Sequence, residues 1–96
     1  MGHEQGGRRP CLVISADEVG TGSSGLAIIV PLTRTWRTRL DVSVEPPEGG
    51  LTDDSFAQPY HVRSISRERL DHRRGAVRDT TLARVIARVR LLMRAP

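Results

Sequence analysis

Three side chains near the start of the chain have the types that phosphate chemistry needs: Glu4, Arg9 and Thr33. Arg9 directly precedes Pro10, and a residue before proline is held extended, which fixes where its side chain leaves the backbone. Gly6 and Gly7 let the backbone approach a ligand closely and take positive φ. Thr33 follows the apolar run 26–32 through Pro31, where that run leaves the core. If the run 11–15 pairs with 26–32, Thr33 comes near Arg9. An acid, a guanidinium and a hydroxyl match the needs of metal-free RNA cleavage. One group takes the 2′-hydroxyl proton, another stabilises the pentacoordinate phosphorane, and a third protonates the leaving 5′ oxygen. The same three residues also fit a solvated turn with a surface ion pair.

Composition narrows the classes. All fifteen basic residues of the 96 are arginine, so every mechanism that needs lysine is excluded, including the phosphate-binding loop of NTPases and Schiff-base chemistry. A net charge of +4 suits an anionic partner such as nucleic acid. Cys11 is the sole cysteine, so no internal disulfide forms. That fits a reducing, cytoplasmic location; within its apolar run Cys11 reads as a small buried hydrophobe. No run of about 18 apolar residues is present, and residues 1–10 lack the apolar segment of a signal peptide, so no membrane partner is expected. No pair of histidines or carboxylates has metal-ligand spacing, so neither metal nor cofactor is expected.

The elements that must position the three residues are short. A chain this size is one domain, 1–96, with a small core of Val, Ile, Leu and Ala. The run 11–15 and the run 26–32 read as a hairpin with a long connection, the second strand buried on both faces. Residues 40–45 alternate at period two, as a half-buried strand does. Residues 46–50 are a hard turn. A further strand is expected from Ala57 to Ile65, with Pro59 marking an edge or bulge, then a helical turn and a short strand near Ala76–Val77. Leu82, Val85, Ile86, Val89, Leu92 and Met93 form the stripe of an amphipathic helix of about 14 residues, with Asp79 as its cap.

The wording of the sequence adds to this. "GHEQGGRRPCLVIS" at 2–15, then "AIIVPLTR" at 27–34, resembles the MazF/PemK family of toxin endoribonucleases. Its signature is a Gly-x-Glu-Gln-x-Gly-x-Arg-Pro loop entering a strand, followed by a strand ending Val-Pro-x-Thr. "GGLTDDSF" at 49–56, "VRSIS" at 62–66, "RERL" at 67–70 and a helix after Gly75 continue the match in order. The resemblance implies a mainly β fold with a C-terminal helix, an SH3-like small barrel of the MazF/PemK/CcdB type, working as a homodimer. It implies metal-independent, sequence-specific cleavage of single-stranded RNA to 2′,3′-cyclic phosphate and 5′-hydroxyl ends, which inhibits translation and growth.

Carried over by position, Arg9 would stabilise the phosphate and act as general acid. Thr33 would hydrogen-bond the scissile phosphate, and Glu4 would be the base or the residue that orients Arg9. Gln5, Gly7, Arg8, Arg34 and His61 would contact RNA; many family members have glutamine where His61 stands. A cognate acidic antitoxin would occupy the RNA groove, and DNA would be met only through the antitoxin complex. The family pattern also opens with a strand before the Glu4 loop. Here Met1 directly precedes Gly2, so the expectation is that this strand is missing, leaving an open sheet edge and a less preorganised Arg9. Two alternatives stand beside the enzyme: a noncatalytic homologue that binds nucleic acid or antitoxin, and a toxin of the same fold that poisons gyrase.

Overall fold

The computed structural model describes residues 2–5, 9–16 and 25–93. Among the described residues six antiparallel strands and one α-helix make up the fold: β1 (Gly2–Gln5), β2 (Arg9–Val13), β3 (Leu26–Thr33), β4 (Val42–Val44), β5 (Ser55–Ala57), β6 (Arg63–Ser66) and α1 (Asp79–Leu92). The sheet runs β1-β2-β3-β5-β4, and β6 joins it along β3. This is the expected mainly β fold with a C-terminal helix, a small SH3-like barrel left open rather than closed.

β3 is shared by two sheets. Leu26 to Ile29 pair with β6, and Leu32 and Thr33 pair with β5. Between them the Gln58 N–H donates to the Pro31 carbonyl at 3.0 Å. The chain passes from β5 to β6 through a 3-10 turn, Pro59–His61. The continuous strand expected from Ala57 to Ile65 is therefore two strands. Pro59 has no N–H for a ladder, and β3 changes partner between Ile29 and Leu32, so a break here lets one chain segment follow both halves of β3.

Burial follows the pleat. Leu12, Val30 and Leu32 face one core with Val42, Val44, Leu51, Ala57 and Val85. Cys11, Ala27 and Ile29 face a second core with Ile65. The middle of β3 is thus buried on both faces, as its apolar run predicts. Its start is not, since Leu26 and Ile28 are exposed. Burial pushes the Cys11 thiol up to about 11, chiefly by desolvation, with the Arg63 charge and the chain's amino terminus opposing. It stays neutral and packs as a hydrophobe.

Four further details differ from the sequence expectation. Residues 2–5 form a strand on β2, not a loop. No strand forms at Ala76–Val77, where the chain instead donates through Gly49 N–H to the Ala76 carbonyl. Asp79 lies in the first turn of α1 rather than capping it: Arg78 holds the cap position and its N–H donates to Glu48 Oε2 at 2.9 Å. The helix stripe is buried at Val85, with Leu82 and Val89 packed on the first core, but Leu92 and Met93 are exposed. No helix among the described residues is long and apolar enough to cross a membrane.

Candidate nucleic-acid cleft

β2 and β3 bring Arg9 and Thr33 together by register. Cys11 pairs with Pro31, Leu12 with Val30 and Val13 with Ile29. Two residues further along the same antiparallel ladder, Arg9 stands level with Thr33, and both line one cleft of about 390 Å³. β1 sets a third position: Gln5 pairs with Arg9, and Glu4 pairs with Pro10. Glu4 is thus one register step from Arg9. Gly7 and Arg8 lie outside the described residues.

Thr33 is oriented. Its Oγ1 accepts the Thr35 N–H at 3.3 Å, so a lone pair is used and the hydroxyl proton remains to be donated. Arg9 is exposed and has no ion-pair partner among the described residues. The cleft therefore offers an exposed guanidinium beside a directed hydroxyl.

The rest of the lining comes mostly from loops. Arg34, Arg37, Thr52, Asp53, Ser55 and Arg74 complete the lining with Pro10, Leu32 and Leu51. With Arg9, the lining carries four guanidinium groups against the single carboxylate of Asp53. Arg34 Nη2 meets Asp53 Oδ2 at 3.1 Å. Arg74 arrives because residues 74–75 pass against Gly49 and Gly50. A Cβ on Gly50, at φ +70°, would collide with the Arg74 carbonyl oxygen, and one on Gly75 would lie 2.9 Å from the Gly50 nitrogen. Only glycines permit this approach.

Asp41 holds the loop that follows β3. It is 8% exposed. Its Oδ2 accepts the Arg37 N–H at 2.7 Å and the Thr38 N–H at 3.3 Å, and its Oδ1 accepts the Thr38 hydroxyl at 3.3 Å and the Tyr60 hydroxyl at 2.8 Å. Burial pushes the Asp41 carboxyl up, but the bonds from Arg37, Tyr60 and Thr38 outweigh it and hold the group below its usual value. Burial, then the bond to Asp41, pushes the Tyr60 phenol up, so it stays a donor. Tyr60 in turn accepts from Gln58 Nε2 at 3.1 Å.

Of the residues expected from sequence, Arg9, Thr33 and Arg34 meet in the cleft. His61 does not line it: it lies exposed in the Pro59–His61 turn, its ring 4.7 Å from that of Tyr60. Sequence reasoning missed Arg37, Asp53 and Arg74 as cleft residues and Asp41 as the anchor of a loop. The available signal for Asp53 was its place within "LTDDSF"; for Asp41 it was a carboxylate at the end of a polar loop, a weak one.

The fold is a half-open antiparallel barrel with a predominantly cationic cleft beside the ends of β2 and β3. The family model of the PemK-like, MazF-like toxin of type II toxin-antitoxin systems matches residues 1–93, and the chain belongs to that family. MazF from Deinococcus radiodurans is 30% identical, with a TM-score of 0.76 over 96% of this chain and 82% of that one. A MazE-MazF structure from the same organism is 26% identical, TM-score 0.77, covering 95% of this chain and 86% of that one. The Mycobacterium tuberculosis toxin MazF-mt6 shares the fold at 20% identity, TM-score 0.77, over 92% and 89% of the two chains.

Proposed function

We propose that this toxin is an endoribonuclease that cleaves single-stranded RNA at a short sequence without a metal ion, inhibiting translation and growth. The observation that carries the reading is the β2–β3 register, which sets Arg9 level with Thr33 in one cationic cleft. In the reaction the 2′-hydroxyl attacks the adjacent phosphorus and loses its proton. The P–O5′ bond breaks, the 5′ oxygen gains a proton, and a 2′,3′-cyclic phosphate remains. Arg9 carries the charge that develops on the phosphorane and donates to the leaving oxygen. Thr33 donates its free hydroxyl proton to a phosphate oxygen. Glu4 is the base or orients Arg9. Gln5, Gly7, Arg8 and Arg34 contact the RNA at the cleft, and His61, which does not line it, contacts the strand beyond it. The need for a 2′-hydroxyl selects RNA over DNA. Preorganised charge and hydrogen bonds aimed at the transition state are the largest means available to such a site.

The same reading gives the chain a homodimeric state, a cytoplasmic location and an acidic antitoxin partner. MazE-MazF structures from D. radiodurans, 25–26% identical in the toxin chain, support the last of these. A polyanionic segment suits a cleft of this charge.

The test is incubation of a long single-stranded RNA with excess EDTA and wild-type protein, Arg9→Ala or Thr33→Ala. Discrete fragments with 5′-hydroxyl ends, lost in both variants, support the proposal. Intact RNA with folded wild-type protein refutes it.

A further inference from the structure

Asp53 is the one carboxylate among the residues lining a cleft whose other charges are Arg9, Arg34, Arg37 and Arg74. A polyanion-binding surface gains nothing electrostatically from an acid in its lining, so its presence needs a reason. It is held in place: Ser55 Oγ donates to the Asp53 carbonyl at 3.2 Å, and Thr52 Oγ1 donates to Asp53 Oδ2 at 3.3 Å. That same Oδ2 meets Arg34 Nη2 at 3.1 Å, while the side chains of Arg34 and Asp53 keep 79% and 53% of their exposure. An oxygen at hydrogen-bond distance from a guanidinium is where a phosphate oxygen would sit.

We propose that Asp53 is an internal competitor for Arg34, a carboxylate that stands in for a phosphate and must be displaced before Arg34 binds RNA. The inference rests on the cleft being the RNA site. The pair is weak enough to exchange, because exposed ion pairs contribute little. A ligand with one phosphate must break the pair at full cost. A chain already held by Arg9 and Arg37 presents its next phosphate at high effective concentration and breaks it cheaply. Asp53 thus makes the cleft discriminate in favour of oligonucleotides long enough to span both walls, over mononucleotides and inorganic phosphate. It is a specificity residue that acts through Arg34 and takes no proton in the reaction.

The experiment is fluorescence-anisotropy binding of labelled uncleavable 2′-deoxy oligonucleotides of several lengths, for wild type, Asp53→Asn, Arg34→Gln and the double variant, over a range of salt. Asp53→Asn keeps the side chain's shape and its bond from Thr52 while removing the charge. We expect it to bind about two- to fivefold more tightly at low salt, with the largest gain for the shortest oligonucleotides and a KM decrease at unchanged kcat. In the Arg34→Gln background the gain should vanish, as a double-mutant cycle requires of two coupled groups. An equal gain with and without Arg34 would overturn the proposal, since Asp53 would then act as a diffuse charge. Unchanged or weaker binding in a folded Asp53→Asn protein would overturn it too. Arg37→Ala separates this from the parent reading. If its oligonucleotide binding equals that of wild type, the cleft is not the nucleic-acid site; if it weakens while Asp53→Asn has no effect, only the competitor role fails.

Discussion

Arg9 and Thr33 stand on paired strands, and their relation is set by a ladder whose register three residue pairs define. Arg34, Arg37, Asp53 and Arg74 face them from loops, held by side chains and by two glycines. The strand wall inherits its geometry from backbone hydrogen bonds buried over two cores. The loop wall depends on one buried carboxylate and one close backbone approach. The difference predicts a division of labour. Groups that must be placed to a fraction of an ångström for chemistry belong on strands, and groups that only need to meet a flexible polyanion can stand on loops.

The sharpest way to break that comparison is to exchange the two kinds of arginine. Arg9→Ala should lower the RNA cleavage rate by about 10²–10³, by analogy with deleting one oxyanion donor, chiefly through kcat. Arg37→Ala should act mainly through KM and through a shallower dependence of binding on salt, since each lost phosphate contact removes about 0.7 from the slope for single strands. Steady-state kinetics on one RNA substrate at several salt concentrations reads both. Equal kcat losses would show that the loop wall is as much a part of the chemistry as the strand wall.

Gly50 tests what supports the loop wall. Alanine there must adopt φ +70° and meet the Arg74 carbonyl oxygen. A left-handed non-glycine residue costs about 1–2 kcal/mol, and displacing the 74–75 segment adds to it. Gly50→Ala should lower stability by on the order of 2 kcal/mol or more in urea unfolding and move Arg74 out of the cleft. Gly25→Ala is the control: its φ is +62° but nothing lies within 4 Å of the added Cβ, so only the strain remains.

Asp41 is the next step down. Asp41→Asn keeps the shape but weakens a set of bonds that a carboxylate accepts from Arg37, Thr38 and Tyr60. The expected loss is about 1.5–3 kcal/mol, the range for hydrogen bonds to a charged group. Tyr60→Phe removes one of those donors and should cost less. The sign with pH follows from the lowered Asp41 value. Its contribution is present above the unfolded carboxyl value near 3.9 and is lost as pH falls through the folded one. The stability gap between wild type and Asp41→Asn should therefore be steady from neutral pH to about 5 and close in more acid solution. A gap that stayed open in acid would remove the carboxylate's charge from the explanation.

The strand wall was legible in the sequence and the loop wall largely was not, for a physical reason. The apolar runs 11–15 and 26–32, with Pro10 and Pro31 as punctuation, mark β2 and β3, and antiparallel pairing then sets Arg9 beside Thr33. Nothing local marks Asp53 as facing Arg34, because that contact is made by a turn nineteen residues away whose path is fixed by packing. The same holds for Asp41 and Tyr60, also nineteen residues apart. The Ala57–Ile65 expectation failed because a change of sheet looks locally like one extended segment. His61 was expected at the RNA surface by position, yet the Pro59–His61 turn directs it elsewhere than the cleft. The helix was found from its stripe, but its cap was misassigned to Asp79 because the true acceptor, Glu48, comes from a turn thirty residues upstream.

That cap supplies the smallest effect and a final comparison. Glu48 precedes Gly49 and Gly50 and accepts the Arg78 N–H at 2.9 Å from an exposed position, so one turn ties the helix start to the segment that carries Arg74. Glu48→Ala should cost about 1 kcal/mol, as loss of a helix cap does. Glu48→Gln, which keeps an acceptor but loses the favourable charge near the helix start, should cost a few tenths. If the turn acts only as a cap, both variants lower the melting temperature and leave KM unchanged. If it also holds the loop wall, KM for RNA rises with Glu48→Ala while kcat, which the proposed mechanism assigns to Arg9 and Thr33 on their strands, does not fall. The second outcome is the one the two-wall construction requires, because the strand ladder between β2 and β3 makes no use of Glu48, whereas the path of residues 74–76 does.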